Sequence, residues 1–381
     1  MHNLVSTYRI QFHKGFTFED FTSTISYLKE LGVQTVYASP VFAATPGSTH
    51  GYDGIDSHHI NPEIGSEKQL RELSKKLQKE NMFWLQDIVP NHMAFHSANN
   101  WLMDVLEKGQ RSRYASFFDI SQTSDLNNGR LMVPFLGAPL EELFHSGEVK
   151  INYKEHGFAF TYYDNHYPLS PESYIEILQT KEDTPQAVKK IISSIKDLQR
   201  VEDKEIFAKQ WKEIRLQMGS LMKNSTVRDF VEECLNKINS SPEDLKRLSD
   251  LQAYRMCHWQ ETDKKINYRR FFTINGLICL NIQTQEVFDH YHSYIRTFLE
   301  EGIIQGLRID HIDGLFDPTV YLENLRTMAG KDTHITVEKI LEPGESLPQK
   351  WPIQGNTGYD FLSLPNNLFT NSDTNKNFTY F

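Results

Sequence analysis

Cysteine is scarce: only Cys234, Cys257 and Cys279 occur among 381 residues. Their odd number and lack of metal-ligand spacing argue against a disulfide scaffold or a zinc site, and packed reduced thiols are expected. Long apolar runs are missing as well. No stretch reaches the roughly 20 residues that cross a bilayer, and Met1-His2-Asn3-Leu4 begins no basic-then-apolar leader, so a cytoplasmic protein is expected. Positive charge is in deficit, with 40 basic residues against 50 acidic ones and a net charge of −10 spread without long blocks. That balance argues against nucleic acid or an anionic membrane as partner and favours a neutral solute. No Gly-x-Gly-x-x-Gly or P-loop pattern is present to cradle a nucleotide. Neither His58-His59 nor His92 with His96 has metal-ligand spacing, so no cofactor and no metal is expected.

What is present begins with aromatic side chains, 12% of the chain as 24 Phe, 17 Tyr and 5 Trp. They suit sugar stacking, although most aromatics in any enzyme fill its core. Ser6 to Phe12 alternates like a strand, and Thr17 to Leu31 carries Phe21, Ile25, Leu28 and Leu31 at helical spacing, closed by Gly32. Val33 to Ser39 reads as a second strand. A loop rich in Gly and Ser follows, then the capping box Ser66-Glu67-Lys68-Gln69 and a helix bearing Leu70, Leu73 and Leu77. Met82 to Val89 reads as a third strand, and the alternation implies parallel strands wrapped by helices.

The rhythm then breaks for some 200 residues. Trp101 to Ser170 reads as loop-rich around a strand-like Gly157 to Tyr163, and Pro185 to His258 turns helical. Strands resume at Gly306 to Asp310 and at His334 to Ile340, with a helix near Pro318 to Ala329 between them. The expected architecture is α/β, a (β/α)8 barrel of the TIM type that is incomplete, with about five strand-helix units where closure takes eight. The expected segments are 1–100 for strands one to three, 101–290 for an inserted, largely helical subdomain, and 291–381 for the barrel's continuation.

Chemistry concentrates in Gly306-Leu307-Arg308-Ile309-Asp310-His311 and Val337-Glu338-Lys339. Arg308 and Asp310 alternate along one strand and point the same way. Two carboxyls on neighbouring strand ends, one beside a fixed cation, suit a retaining glycosidase or transglycosylase. Asp310 is expected to stay ionised as nucleophile and Glu338 to be the proton donor. Asp87-Ile88-Val89-Pro90-Asn91-His92 ends the third strand; alone it could be a helix cap and a surface histidine.

Together these motifs resemble the α-amylase superfamily, glycoside hydrolase family 13, whose ordered signature is D-x-V-x-N-H, then G-x-R-x-D, then a catalytic Glu. Longer blocks are similar to the maltooligosyl trehalose synthase family within it: Pro46 to Asp53, Trp101 to Gly109, Asn267 to Phe272, Arg308 to His311, Val337 to Leu341 and Thr357 to Phe361. The resemblance implies conversion of the reducing-end α-1,4 bond of a maltooligosaccharide into an α,α-1,1 bond by double displacement through Asp310 and Glu338. It implies that Arg308 holds the nucleophile, that Asp87 pairs with that Arg or bonds the sugar, that His92 bonds a sugar hydroxyl and that Tyr52 stacks beneath the ring. His50, His311 and Lys339 are weaker candidates for holding the turning glucose, with structural support of the site as the alternative.

Two departures from that pattern stand out. The family's third carboxylate follows strand seven, beyond Phe381, so this chain is expected to have little activity alone and possible need of a complementary C-terminal chain. Asn281 stands where the family tends to end a Leu-x-x-Leu-Arg run. Rival readings are an α-amylase-type hydrolase, a 4-α-glucanotransferase, or a non-catalytic maltooligosaccharide-binding remnant.

Overall fold

The computed structural model describes residues 4–121, 127–154 and 157–380, so Met1 to Asn3 of the N-terminal reading, and part of the 101–170 stretch, lie outside it. The described residues divide into two compact units, Met1–Met93 with Ile282–Phe381, and Ala94–Asn281.

The first unit is built on six parallel strands: β1 (Thr7–Ile10), β2 (Thr35–Ala38), β3 (Phe83–Ile88), β4 (Gly306–Ile309), β5 (His334–Val337) and β6 (Gly355–Asn356). They lie in sequence order across one sheet. The order follows from βαβ units, in which each crossover returns the chain beside the strand it left. Val36, Leu307, Ile309, Ile335 and Val337 are fully buried, as expected of a parallel sheet covered on both faces.

Helices α1 (Phe18–Glu30), α2 (Glu67–Lys79), α3 (Gln285–Glu300) and α4 (Pro318–Ala329) supply the cover. The expected capping box of Ser66 with Gln69 opens α2, and a second one, Thr17 with Asp20, opens α1. Each satisfies N–H groups that a helix start otherwise leaves unpaired. Gly32, at φ 84°, ends the first crossover in the left-handed region that favours glycine. The buried face of α1 meets β1 and β3 through aromatic rings, with Phe12 stacked on Trp84 at 5.9 Å and edge-on to Phe18 at 5.0 Å. Rings of this size, fully removed from water, contribute about 2 kcal/mol each before entropy is counted.

Two readings of this unit are corrected. The Gly- and Ser-rich loop holds an antiparallel strand pair, Phe42–Ala44 with Gly54–Ile60; Pro46-Gly47-Ser48 lies in the connection between them. Helix α3 was not anticipated. Its buried Val287, Phe288, Tyr291, Ile295 and Phe298 do keep helical spacing, but polar Tyr and His residues blur the contrast between its faces.

The second unit carries helices Pro171–Leu178, Gln186–Leu198, Lys204–Leu221, Ser225–Asn239 and Pro242–Asp250. The stretch read as loop-rich contains a three-stranded antiparallel sheet, Lys150–Lys154, Gly157–Tyr162 and Asn165–Pro168. It also contains Leu131–Leu136, which pairs in parallel with Tyr254–His258 more than a hundred residues away. Such pairing leaves no local signal in sequence. Buried Glu107 meets Arg215 at 3.0 Å, tying helix Asn100–Lys108 to Lys204–Leu221. All three cysteines are buried and free, and burial pushes the Cys257 thiol up to about 12, so it stays protonated. No helix among the described residues is long and apolar enough to cross a membrane.

Candidate active site

Strand register brings the three sequence motifs to one place. Arg308 of β4 lies directly beside Asp87 of β3. Parallel pairing continues past both strand ends, with the Asp310 N–H donating to the Ile88 carbonyl at 2.9 Å and the Glu338 N–H to the Ile309 carbonyl at 2.8 Å. Asp87, Arg308, Asp310 and Glu338 therefore gather at the C-terminal ends of β3, β4 and β5. Catalytic residues collect on that end of α/β barrels because the βα loops open there.

The guanidinium of Arg308 joins the group. Its Nη1 donates to Asp87 Oδ1 at 2.9 Å and to Asp310 Oδ1 at 2.7 Å, while Nη2 lies 2.9 Å from Glu338 Oε1. Arg308 and Asp87 are almost wholly buried. One delocalised, permanently charged cation bridging three carboxylates is a role lysine's point charge fills poorly. Asp87 is further capped on Oδ2 by the hydroxyls of Tyr52 at 2.6 Å and Tyr37 at 2.9 Å. The pairing with Arg308 is one of the two roles expected of Asp87.

Tyr52 enters through a turn that only glycine permits. Gly51 sits at φ 80°, and a Cβ there would lie 2.5 Å from the Pro40 carbonyl oxygen. The Tyr52 hydroxyl also accepts from Arg9 Nη2 at 3.2 Å, and Arg9 in turn holds Gln11 at 3.1 Å. His92 Nε2 sits 3.1 Å from the Tyr52 carbonyl oxygen. His50 Nδ1 accepts the Tyr52 N–H at 3.0 Å, so both histidines brace the segment that carries Tyr52. Gly51, Asp87, His92 and Tyr291 line a cleft at this point.

Glu338 has three donors. Besides Arg308, the His311 backbone N–H reaches Oε2 at 3.0 Å and the Tyr359 hydroxyl reaches Oε1 at 3.1 Å. His311 adopts the left-handed conformation at φ 49°, and its ring packs so closely on Gly314 that a Cβ there would meet it at 2.2 Å. Lys339 does not point at the carboxyl pair: it bridges Glu345 at 2.7 Å and Asp313 at 3.2 Å.

These contacts revise the expected protonation. Burial pushes the Asp310 carboxyl up to about 7, with Asp87 and Glu338 adding to the rise and Arg308 opposing it. For Glu338 burial is again the largest single influence and raises it, but Arg308, the His311 N–H, Tyr359 and a hydrogen bond from Asp310 together outweigh it, leaving Glu338 below the usual carboxylate range. In the chain by itself Asp310 is thus biased toward the acid, chiefly by burial, and Glu338 toward the carboxylate, whereas the sequence reading has Asp310 as ionised nucleophile and Glu338 as proton donor. The two carboxyls hydrogen-bond each other and so share one proton as a pair.

Sequence reasoning missed Tyr37, Arg9 and Tyr359. Tyr359 lay inside a recognised block but carried no assigned role. Tyr37 and Arg9 sit mid-strand, where an aromatic or an alternating polar residue is unremarkable until the sheet brings them to Asp87. Away from the site, His59 pairs with Asp56 at 2.7 Å, His58 bonds the His290 carbonyl oxygen at 2.7 Å, and His96 accepts the Ala98 N–H at 3.1 Å. Asn281 donates to the Ser116 and Phe118 carbonyls at 2.8 and 2.9 Å.

Comparison with known proteins agrees with this geometry. The α-amylase catalytic domain model matches residues 17–161. A Mycobacterium tuberculosis protein provisionally named maltooligosyl trehalose synthase is 31% identical over 366 residues, covering 94% of this chain and 38% of that protein. The chain is a homologue of the maltooligosyl trehalose synthases. The structure of maltooligosyltrehalose synthase from Arthrobacter ramosus superposes with a TM-score of 0.73 at 30% identity, covering 97% of this chain and 39% of that one. A hypothetical maltooligosyl trehalose synthase of Sulfolobus tokodaii gives 0.72 at 33% identity over the whole of this chain and 41% of its own. This homologue thus spans about 40% of the length of these relatives.

Proposed function

We propose that this chain carries the nucleophile and the acid-base residue of a maltooligosyl trehalose synthase. The activity rearranges the reducing-end α-1,4 bond of a maltooligosaccharide to an α,α-1,1 bond. The observation that carries this reading is Arg308 bridging Asp87, Asp310 and Glu338 at adjacent strand ends.

The shared proton supplies the starting state. Its transfer from Asp310 to Glu338 leaves one ionised nucleophile, held by Arg308, and one acid. Asp310 then attacks the anomeric carbon while Glu338 protonates the departing glycosidic oxygen, giving a covalent glycosyl-enzyme and a free glucose. That glucose stays bound and turns. Its anomeric hydroxyl attacks with Glu338 as base, the Asp310 ester bond breaks, and two inversions give net retention. Exclusion of water decides isomerisation over hydrolysis. In this reading Tyr52, His50, His92 and His311 shape the sugar site, His50 and His92 by bracing the turn that carries Tyr52 to Asp87, while Lys339 supports it from outside through Asp313 and Glu345.

Full activity needs further barrel strands. β6 is only two residues long, and helix α5 (Tyr359–Leu368) beyond it buries none of its side chains. Further strands, continuous with this chain or supplied by another, would seat on that edge. The test incubates maltopentaose with the chain, alone and with a separately expressed polypeptide corresponding to the rest of a relative. Loss of reducing ends without glucose release, in the mixture only, is the expected result. New reducing ends would mean a hydrolase, chain-length redistribution a glucanotransferase, and sugar binding without any turnover a binding remnant; each would displace the synthase reading.

A further inference from the structure

A residue that serves first as acid and then as base must be held in both protonation states. Of the three donors to Glu338 other than Asp310, two cannot follow that change. Arg308 Nη2, 2.9 Å from Oε1, and the His311 backbone N–H, 3.0 Å from Oε2, carry hydrogens and no lone pair to offer, so both favour the carboxylate alone. The third is the Tyr359 hydroxyl, 3.1 Å from Oε1, which can donate or accept by rotating about one bond. We propose that Tyr359 is a positioning residue that keeps Glu338 oriented through both states, donating to the carboxylate and accepting from the carboxylic acid.

The chain around Tyr359 is built to deliver that hydroxyl. The Thr357 N–H donates to the Val337 carbonyl at 3.0 Å, next to Glu338 in sequence. Asn356 then ties the connection twice, accepting the Gly358 N–H at 2.9 Å and donating to the Lys339 carbonyl at 3.4 Å. Gly358, at φ 84°, turns the backbone so that α5 begins at Tyr359 itself. The charged groups that face Glu338 are Arg308 and Asp310, with Asp87 behind Arg308; Lys339 is occupied by Glu345 and Asp313. None of them reverses its hydrogen-bonding sense as a tyrosine hydroxyl does, except the proton-sharing partner Asp310. Burial, and then the Glu338 charge, raise the phenol above its ordinary value, so its proton is retained.

The inference rests on Glu338 being the acid-base residue, and its test needs no turnover. In the full 381-residue chain, 13C-labelled glutamate carboxyls are followed by NMR against pH, with Glu338 identified by its loss in Glu338→Gln. Tyr359→Phe is expected to move the Glu338 midpoint upward, because the charge-assisted bond the hydroxyl donates to the carboxylate is stronger than the one it accepts from the acid, while thermal melting stays unchanged. An unmoved or lowered midpoint overturns the proposal. Should the Phe variant fail to fold, 13Cζ-labelled tyrosine in the unaltered chain gives the same answer: a Tyr359 signal that titrates with Glu338 supports the proposal, and one that does not respond overturns it. In the assembled enzyme, Tyr359→Phe is expected to displace the pH-rate profile and lower kcat with KM for maltopentaose unchanged. A change confined to KM overturns the positioning role. Failure of the maltopentaose assay itself bears on the synthase reading and leaves the carboxyl titration as it is.

Discussion

At Asp310 the fold holds a carboxyl whose burial, reinforced by Asp87 and Glu338, outweighs Arg308 and lifts it to about 7. The stability consequence has a definite sign. A carboxyl whose folded value is raised binds its proton more tightly folded than unfolded, so its contribution is complete below the unfolded value near 4 and is lost as pH rises toward 7. Glu338, held below the usual range, acts oppositely and loses its contribution only on further acidification. Urea unfolding at pH 4 and pH 8 is expected to show the native chain losing stability, on the order of a few kcal/mol, relative to Asp310→Asn across that interval. A difference between the two proteins that does not change with pH would remove Asp310 as the shared-proton site.

At the scale of single elements, short-range pattern was a sound guide wherever one local interaction decides the outcome. The capping box at Ser66, the apolar spacing of α1 and α2 and the Gly32 stop were legible because each involves residues within one turn. The hairpin of Phe42–Ala44 with Gly54–Ile60 was not, since its strands are short, its register is irregular and its glycines read as loop. Gly51, in the connection between those two strands, is where this element meets the chemistry. A methyl group there meets the Pro40 carbonyl in a backbone conformation that costs side-chain-bearing residues. Gly51→Ala is expected to destabilise the chain by about 1–3 kcal/mol and to weaken the Tyr52 contact with Asp87, seen as a shifted Tyr52 ring signal in NMR. Unchanged stability would mean the turn is freer than its geometry implies.

Across the first unit as a whole, the sheet runs from β1 to β6, and a row of apolar side chains follows β6 into α5 and beyond. Phe361, Leu364 and Leu368 recur at helical spacing, and Phe369, 87% exposed, continues the row. Exposed apolar area of this kind drives association. Sedimentation is expected to show concentration-dependent self-association of the isolated chain, relieved by Leu364→Glu with Leu368→Glu at unchanged melting temperature. The same pair of substitutions is expected to reduce activity recovered with a complementary chain. A monodisperse native chain at high concentration would count against this face as the place where further strands seat.

Composition, periodicity and three short motifs by themselves determined that strands alternate with helices and that Asp87, Arg308, Asp310 and Glu338 gather at neighbouring strand ends. Strand polarity, apolar spacing and caps are local properties, written within a few residues of one another. Only the tertiary structure decided that Arg308 grips all three carboxylates at once, that Tyr37, Tyr52 and Arg9 close over Asp87, and that Tyr359 returns to Glu338. It also decided which carboxyl is biased toward the acid and which toward the carboxylate. That last choice depends on burial and on how many donors converge from β4, the His311 turn and α5, quantities set by strand register across the sheet and by no stretch of sequence alone.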